Sequence, residues 1–199
     1  FAMELLDTQR TDNNEAELSA LATVTAMRLY RLTHDAQYLE QATRLARVVM
    51  ACQQLERRKD WSIPLHGFFY ESTSKKRILA YYHQSKEHLL VEGLAMLLTD
   101  APNHADAAQW KTACQAYADY LHDLADKIEH YGLLPSAIYE VNNTDYSHLY
   151  HEGDQVGLPS LEEYNAQVRN GIPLGKDFYL RRFPVAYQFR GFHAVTMGK

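Results

Sequence analysis

NEAELSALATVTAMRLYRLTHDAQYLEQATRLARVVMACQQL, residues 14–55, is the stretch that decides the fold. Its first half, Asn14 to Leu32, places Leu18, Leu21, Ala22, Val24, Met27, Leu29 and Leu32 almost all round a helix, with no Gly or Pro to interrupt it. A helix apolar on so many sides needs cover on most of them. After a short turn at His34 and Asp35, the run from Ala36 to Leu55 gathers Leu39, Ala42, Leu45, Ala46, Val49 and Cys52 on one stripe, with Glu40, Arg44 and Arg47 opposite. That pattern predicts an amphipathic helix with one face in solvent. A turn this short joins antiparallel helices, so the stretch reads as an inner helix followed by an outer one.

The pattern recurs. Ser85 to Leu98 carries Leu89, Leu90, Val91, Leu94, Ala95, Met96, Leu97 and Leu98, and Asp100 and Pro102 stop it. Asp106 to Ile128 then spaces Trp110, Cys114, Tyr117, Leu121, Leu124 and Ile128 by threes and fours, with Lys111, Gln115, Asp119 and Asp126 opposite. A third apolar segment begins near Val185 and runs through Phe189, Val195 and Met197. The expected order is inner, outer, inner, outer, inner, and the fold class is all-α.

The connections are unequal. Thr33 to Ala36 and Thr99 to Pro102 are short, whereas Glu56 to Tyr82 and Tyr131 to Pro184 are long, polar and each lead from an outer helix to an inner one. Antiparallel packing therefore puts both long connections on one rim, at the amino termini of the inner helices, where backbone N–H groups and the positive dipole ends are exposed. Loops on one rim of a rigid scaffold are where binding residues concentrate. Within them Gly67 to Tyr70 and Gly132 to Tyr139 are short, apolar and aromatic, and are expected to be extended and to dip inward.

Composition narrows the partner. Twenty Lys plus Arg against 25 Asp plus Glu, scattered along 199 residues, give a net charge of -5 and no basic stripe. A nucleic-acid or anionic-membrane surface is therefore not expected. No apolar run approaches the ~20 residues of a transmembrane helix. Cys52 and Cys114 sit on two predicted helices without CxxC spacing, which points to buried thiols and not to zinc or a redox pair. The absence of GxGxxG, P-loop and EF-hand patterns leaves no cofactor expected, and Asp145, Glu152 and Asp154 follow no calcium-loop spacing. The chain opens on Phe1, without an initiator Met or a signal-peptide pattern, and stops where a helix has barely begun, so an internal fragment is expected.

The helical pair from Leu29 to Gln54 (LYRLTHDAQYLEQATRLARVVMACQQ), the stretch from Gly67 to His88 (GFFYESTSKKRILAYYHQSKEH) and YGLLPSAIY from Tyr131 to Tyr139 resemble the six-hairpin glycosidase superfamily. The layout looks most like bacterial glycoside hydrolases near the cellulase-like family 9. The resemblance spans nearly the whole chain, but its motifs are architectural more than catalytic. It implies part of an (α/α)6 toroid, about two and a half hairpins across residues 1–199, with the remaining hairpins in the rest of a longer chain. It also implies an oligo- or polysaccharide substrate and, for a glycosidase, a periplasmic or extracellular setting, with a cytoplasmic one also open. The DAGDY-like motif of the base is absent, so the principal catalytic carboxylates are expected outside this stretch.

Several residues on the expected rim suit a sugar. Tyr81, Tyr82, His83, Gln84, Lys86 and His88 crowd the start of the second inner helix. Aromatic rings stack on sugar faces and polar groups bind hydroxyls, although a capped helix start with packed tyrosines has the same composition. His83 and His88 are off the spacing of a metal-binding HExxH helix, and no metal site is expected. Glu71, following an apolar tetrapeptide, is the carboxylate to consider as a desolvated general acid, unless Lys75, Lys76 or Arg77 pairs with it. Asp145 and Tyr146 lie in an acid- and aromatic-rich segment suited to polyols, a composition that an ordinary solvated loop shares. Arg190 and His193 lie at the start of the third inner helix, where a cation opposes the dipole and so faces a ligand or a carboxylate. Trp61, in a loop, is a candidate stacking platform, while Trp110 has core spacing.

Three function classes remain. The first is a glycoside hydrolase working with paired carboxylates. The second is a sugar epimerase or polysaccharide lyase on the same toroid, in which Tyr82, His83 or His88 would move the proton. The third is a non-enzymatic TPR-like scaffold, against which the long connections break the 34-residue period.

Overall fold

Small residues make the first helix. In α1 (Glu15–Thr33) the buried positions are Ala16, Ser19, Ala20, Ala22, Thr23, Val24, Ala26 and Met27, a broad arc of mostly small side chains. Thr23 donates its hydroxyl to the Ser19 carbonyl at 2.7 Å within the helix, and the buried Ser19 hydroxyl accepts from Arg10 Nη1 at 3.3 Å. Glu15 and Glu17 complement the positive end of the helix dipole. The apolar reading of this helix was too generous, because Leu21 is 40% and Leu32 80% exposed. Its burial is carried by Ala22, Val24 and Met27, which the sequence pattern names, together with further alanines, Ser19 and Thr23 that admit a neighbouring backbone closely.

The chain leaves α1 through His34, which takes a left-handed conformation (φ 56°) and donates its N–H to the Tyr30 carbonyl. Asp35 then caps α2 (Ala36–Ala51), its side chain accepting from the Gln37 N–H at 3.0 Å. In α2, Ala42, Leu45, Ala46 and Val49 are buried while Glu40, Arg44 and Arg47 face out, as the sequence predicts.

The second hairpin repeats the first. The computed structural model describes residues 9–12, 14–79, 87–125, 138–144 and 159–180, with the side chains of residues 87 and 88 outside that description. Helix α3 (Glu87–Asp100) packs on α1, and α4 (Ala107–Ala125) packs on α3. Gly93 of α3 is pressed so closely on α1 that a Cβ there would come within 2.6 Å of Thr23 Cγ2. Near their carboxy-terminal ends, Arg31 of α1 reaches Asp100 of α3 with Nε–Oδ2 at 2.6 Å and Nη2–Oδ1 at 3.3 Å. The two inner helices are therefore parallel, each with its own antiparallel outer partner. Val24, Met27, Ala42, Ala46, Leu94, Leu97 and the fully buried Trp110 fill the space among the four helices. The third apolar segment, from Val185, lies outside the described residues.

Both long connections carry more structure than the sequence reading gave them. In the first, Phe69 and Tyr70 lie between two other stretches of the same chain: Tyr70 N–H donates to the Cys52 carbonyl at 2.8 Å and Leu79 N–H to the Phe69 carbonyl at 2.9 Å. The expected inward dip is present, with Phe68, Phe69 and Tyr70 all buried. In the second, Ile138–Glu140 forms β1, and Ile172–Pro173 and Phe178–Leu180 form β2 and β3, in an antiparallel sheet of order β1-β3-β2. Between them stands a helix that the sequence reading missed, α5 (Leu161–Arg169). Ser160 and Glu163 close a capping box at its start, Ser160 N–H donating to Glu163 Oε2 at 2.7 Å and Glu163 N–H to Ser160 Oγ at 3.2 Å. The class is all-α, since the strands amount to a short sheet on a helical body. None of the helices among the described residues is long and apolar enough to cross a membrane.

Candidate functional site

The end of the molecule that holds the amino terminus of α1 collects the described parts of both long connections. Ala16 N–H, in the first turn of α1, donates to the Glu71 carbonyl at 2.9 Å, and Glu15 Oε2 accepts from both the N–H and the hydroxyl of Thr73 at 2.8 Å. The 71–77 turn thus occupies part of the donor-rich end of the inner helix. Arg57 pairs with Asp123 at 2.7 Å, which lays the earlier part of the same connection along the carboxy-terminal half of α4. The second connection arrives from the other side, where Ser62 N–H donates to the Leu174 carbonyl at 2.6 Å. Ala16, Ala20, Leu65, Phe68, Phe69, Tyr117, Tyr120, Ile138, Leu174 and Leu180 share one apolar cluster beneath this rim. Among the described residues, parts of both long connections meet at this end of α1.

Glu71 sits at the base of the rim with its side chain 3% exposed, and Arg77 Nε lies 2.8 Å from its Oε2. Of the two readings left open by sequence, this geometry is the ion pair. Lys75, in a left-handed conformation (φ 53°), turns elsewhere, donating to the Gln53 carbonyl at 2.9 Å. Lys76 pairs with Asp12 at 2.9 Å, and that hydrogen bond is the main cause holding the exposed Asp12 carboxyl below its ordinary value.

Trp61 departs from the expectation of an open stacking platform. Only 5% exposed, its ring lies parallel to Phe68, 5.4 Å between centroids, and the Arg58 guanidinium stands 4.6 Å from its centroid. A platform needs a free face, and this ring is enclosed in the rim cluster by Phe68 and Phe178. Arg58 is itself gripped by Asp60, at 2.8 Å and 2.6 Å, and this pairing pulls the Asp60 carboxyl down to about 2.

The other sequence candidates fall outside this account. Tyr82, His83, Asp145, Tyr146, Arg190 and His193 lie outside the described residues, and His88 is placed only as a backbone position in the first turn of α3. Among the described residues no group of three or more His, Cys, Asp or Glu could hold a metal ion. Burial pushes the Cys52 thiol up to about 12 and the Cys114 thiol up to about 11, so neither is a ready nucleophile at neutral pH. A groove of about 480 Å³ runs between α2 and α4, lined by Arg47, Met50, Leu55, Ala108, Gln109 and Thr112. It belongs to the outer helices and is separate from the rim.

One titratable group was missed by sequence. Glu140 on β1 is half-buried; desolvation and then the charge of Asp177 raise its pKa above the ordinary carboxylate value. No local pattern announces it, since Asp177 comes beside it only through pairing of β1 with β3, where Val141 N–H donates to the Asp177 carbonyl at 2.9 Å. A folded-state pKa that is raised means that the stability Glu140 contributes is complete below the unfolded value and is lost as pH rises through the folded one. Glu140→Gln is therefore expected to match the parent near pH ~3 and to be more stable at pH ~7, by no more than about 0.5 kcal/mol given solvent screening. Paired denaturant titrations at the two pH values check this, and greater stability of the parent at neutral pH would contradict it.

No family model, curated protein or solved structure matches the chain.

Proposed function

We propose that the chain is part of a carbohydrate-active enzyme, a glycoside hydrolase built on an (α/α)6 toroid, whose rim binds an oligo- or polysaccharide. The observation that carries this reading is the combination of two parallel inner helices, each with an antiparallel outer helix, and two elaborated connections that meet at the amino-terminal end of α1. Repeating that unit about a closed ring puts every long connection around one mouth, where an extended polar substrate can lie. The rim is rich in tyrosine and in amide and hydroxyl groups, the donor and acceptor set that hydroxyls require. Proton transfer is assigned to carboxylates beyond those described, because the side chain of Glu71 is enclosed and engaged by Arg77.

The test is to incubate the protein containing this chain with a panel of oligosaccharides and polysaccharides and to follow new reducing ends by chromatography. Release of reducing ends is expected. Products with an unsaturated ring would move the assignment to a lyase, and binding of peptides without any saccharide would move it to a scaffold. Glu71→Gln is expected to lower stability while leaving turnover within about tenfold. A loss of about 100-fold or more in kcat at unchanged stability would return Glu71 to the chemistry.

A further inference from the structure

One Asn-x-Ser/Thr triplet occurs in the 199 residues, formed by Asn142, Asn143 and Thr144. That triplet is the acceptor pattern for an N-linked glycan, and it belongs on a surface turn where bulk can be carried. Here it begins one residue after β1, and Asn142 and Thr144 are both exposed. Glu140, two residues before Asn142, extends the pattern to Glu-x-Asn-x-Thr, a form that a transferase demanding an acid ahead of the asparagine also accepts.

The turn fixes how the Asn142 side chain is used. Its backbone is left-handed (φ 58°), a conformation that asparagine tolerates better than most residues with a Cβ. Its N–H donates to Asn165 Oδ1 at 2.7 Å, and that bond decides which way round the Asn165 amide stands. Asn165 then presents Nδ2, which donates to Asn142 Oδ1 at 2.8 Å. The Asn142 amide is oriented in turn, with its oxygen spent on α5 and its nitrogen left over. Among the described residues Asn142 Nδ2 has no hydrogen-bond partner, and neither has the Thr144 hydroxyl. The left-handed turn and the pairing with Asn165 account for the backbone and the oxygen of Asn142. They leave unused the two groups that the acceptor pattern calls for, the amide nitrogen and the hydroxyl two residues on.

We propose that Asn142 is an N-glycosylation site, whose Nδ2 takes an oligosaccharide from a polyprenyl-diphosphate donor. In the transfer Nδ2 forms a bond to the anomeric carbon and the bond from that carbon to the diphosphate oxygen breaks. Polyprenyl diphosphate leaves, and the nitrogen gives up one proton to a base of the transferase. The substituted amide keeps its carbonyl oxygen as an acceptor, so the bond from Asn165 survives the modification. The sugar therefore attaches without disturbing the seat of α5 on β1, which Tyr164 completes by donating its hydroxyl to the Glu140 carbonyl at 2.9 Å. The site is independent of the substrate assigned to the rim.

The test is mass spectrometry of peptides spanning Asn142, taken from the full-length protein recovered from the cells that make it. Electron-transfer fragmentation leaves the sugar on its residue, and a glycan on Asn142 is expected. Asn142→Gln also breaks the pairing with Asn165, so the deciding variants are at Thr144, which takes no part in that pairing. Occupancy is expected to fall at least about tenfold in Thr144→Ala and to stay within about threefold of the parent in Thr144→Ser. Unmodified Asn142 in the parent protein overturns the site. So does a glycan that persists in Thr144→Ala, or one that fragmentation places on a hydroxyl instead of on Asn142.

Discussion

Gly67→Ala is expected to cost about 4 kcal/mol or more and to leave little folded protein at 37 °C. Two independent terms add at this position. Gly67 has φ +85°, a left-handed backbone that costs other residues about 1–2 kcal/mol. Its Cβ would also stand 1.9 Å from the Ala116 carbonyl oxygen, and that neighbour is helical backbone in α4 and cannot rotate away. Relief requires α4 to move off the first connection, which would strip Gln53 of the bonds it gives to the Gly67 and Ala113 carbonyls at 2.9 Å and 3.0 Å. Gly175→Ala is the control, since its nearest contact is a side-chain atom at 3.2 Å, and a loss under about 1 kcal/mol is expected there. Denaturant midpoints at unchanged slope measure both. Equal, small losses at the two glycines would show that α4 does not confine the turn.

The second large effect is at the buried ion pair. Arg77→Ala leaves the Glu71 carboxylate, 3% exposed, without its guanidinium, and a loss of about 3 kcal/mol is expected. Removing both charges while keeping the volume, as Glu71→Gln with Arg77→Met, is expected to recover more than half of that loss, because desolvation of a lone charge supplies most of the penalty. A thermodynamic cycle over the single and double variants isolates the coupling. If Arg77→Ala costs less than about 0.5 kcal/mol, the pair behaves as an exposed one despite its burial. The consequence reaches the helix, since the turn closed by Glu71 and Arg77 also supplies the carbonyl that accepts Ala16 N–H.

These two positions mark what local sequence can and cannot reveal. The stripe on α2 was legible because a helix with one wet face separates its residue types, and Arg44 and Arg47 face out where the pattern puts them. On α1 the same reasoning identified a widely buried helix but misjudged Leu21 and Leu32, since packing selected the small residues that let α3 approach. Helix α5 carries a readable start in Ser160 and Glu163, but Leu161 to Arg169 is too polar and too short to show an apolar stripe. Its burial rests on Tyr164, Asn165 and Val168 meeting β1. Trp61 and Glu140 were beyond any window. Trp61 is enclosed by Phe178, and Glu140 is perturbed by Asp177, and only the assembled sheet brings those partners near.

The division of the interior into two clusters orders the assembly of the chain in time. The cluster among the helices draws on residues between Val24 and Ala113, within two hairpins whose turns are short. The cluster beneath the rim needs Ala16, Trp61, Tyr117 and Leu180 together, which closes loops spanning most of the chain. Loop-closure entropy delays such distant contacts, and local helical ones form ahead of them. Each hairpin is accordingly an early local unit, the pairing of the two hairpins, which brings Val24 to Leu94 and Trp110, follows, and the rim, whose contacts reach as far as Leu180, comes last. A chain arrested between these stages would present folded hairpins with Phe68, Phe69 and Trp61 still in water, the species from which misassembly would begin.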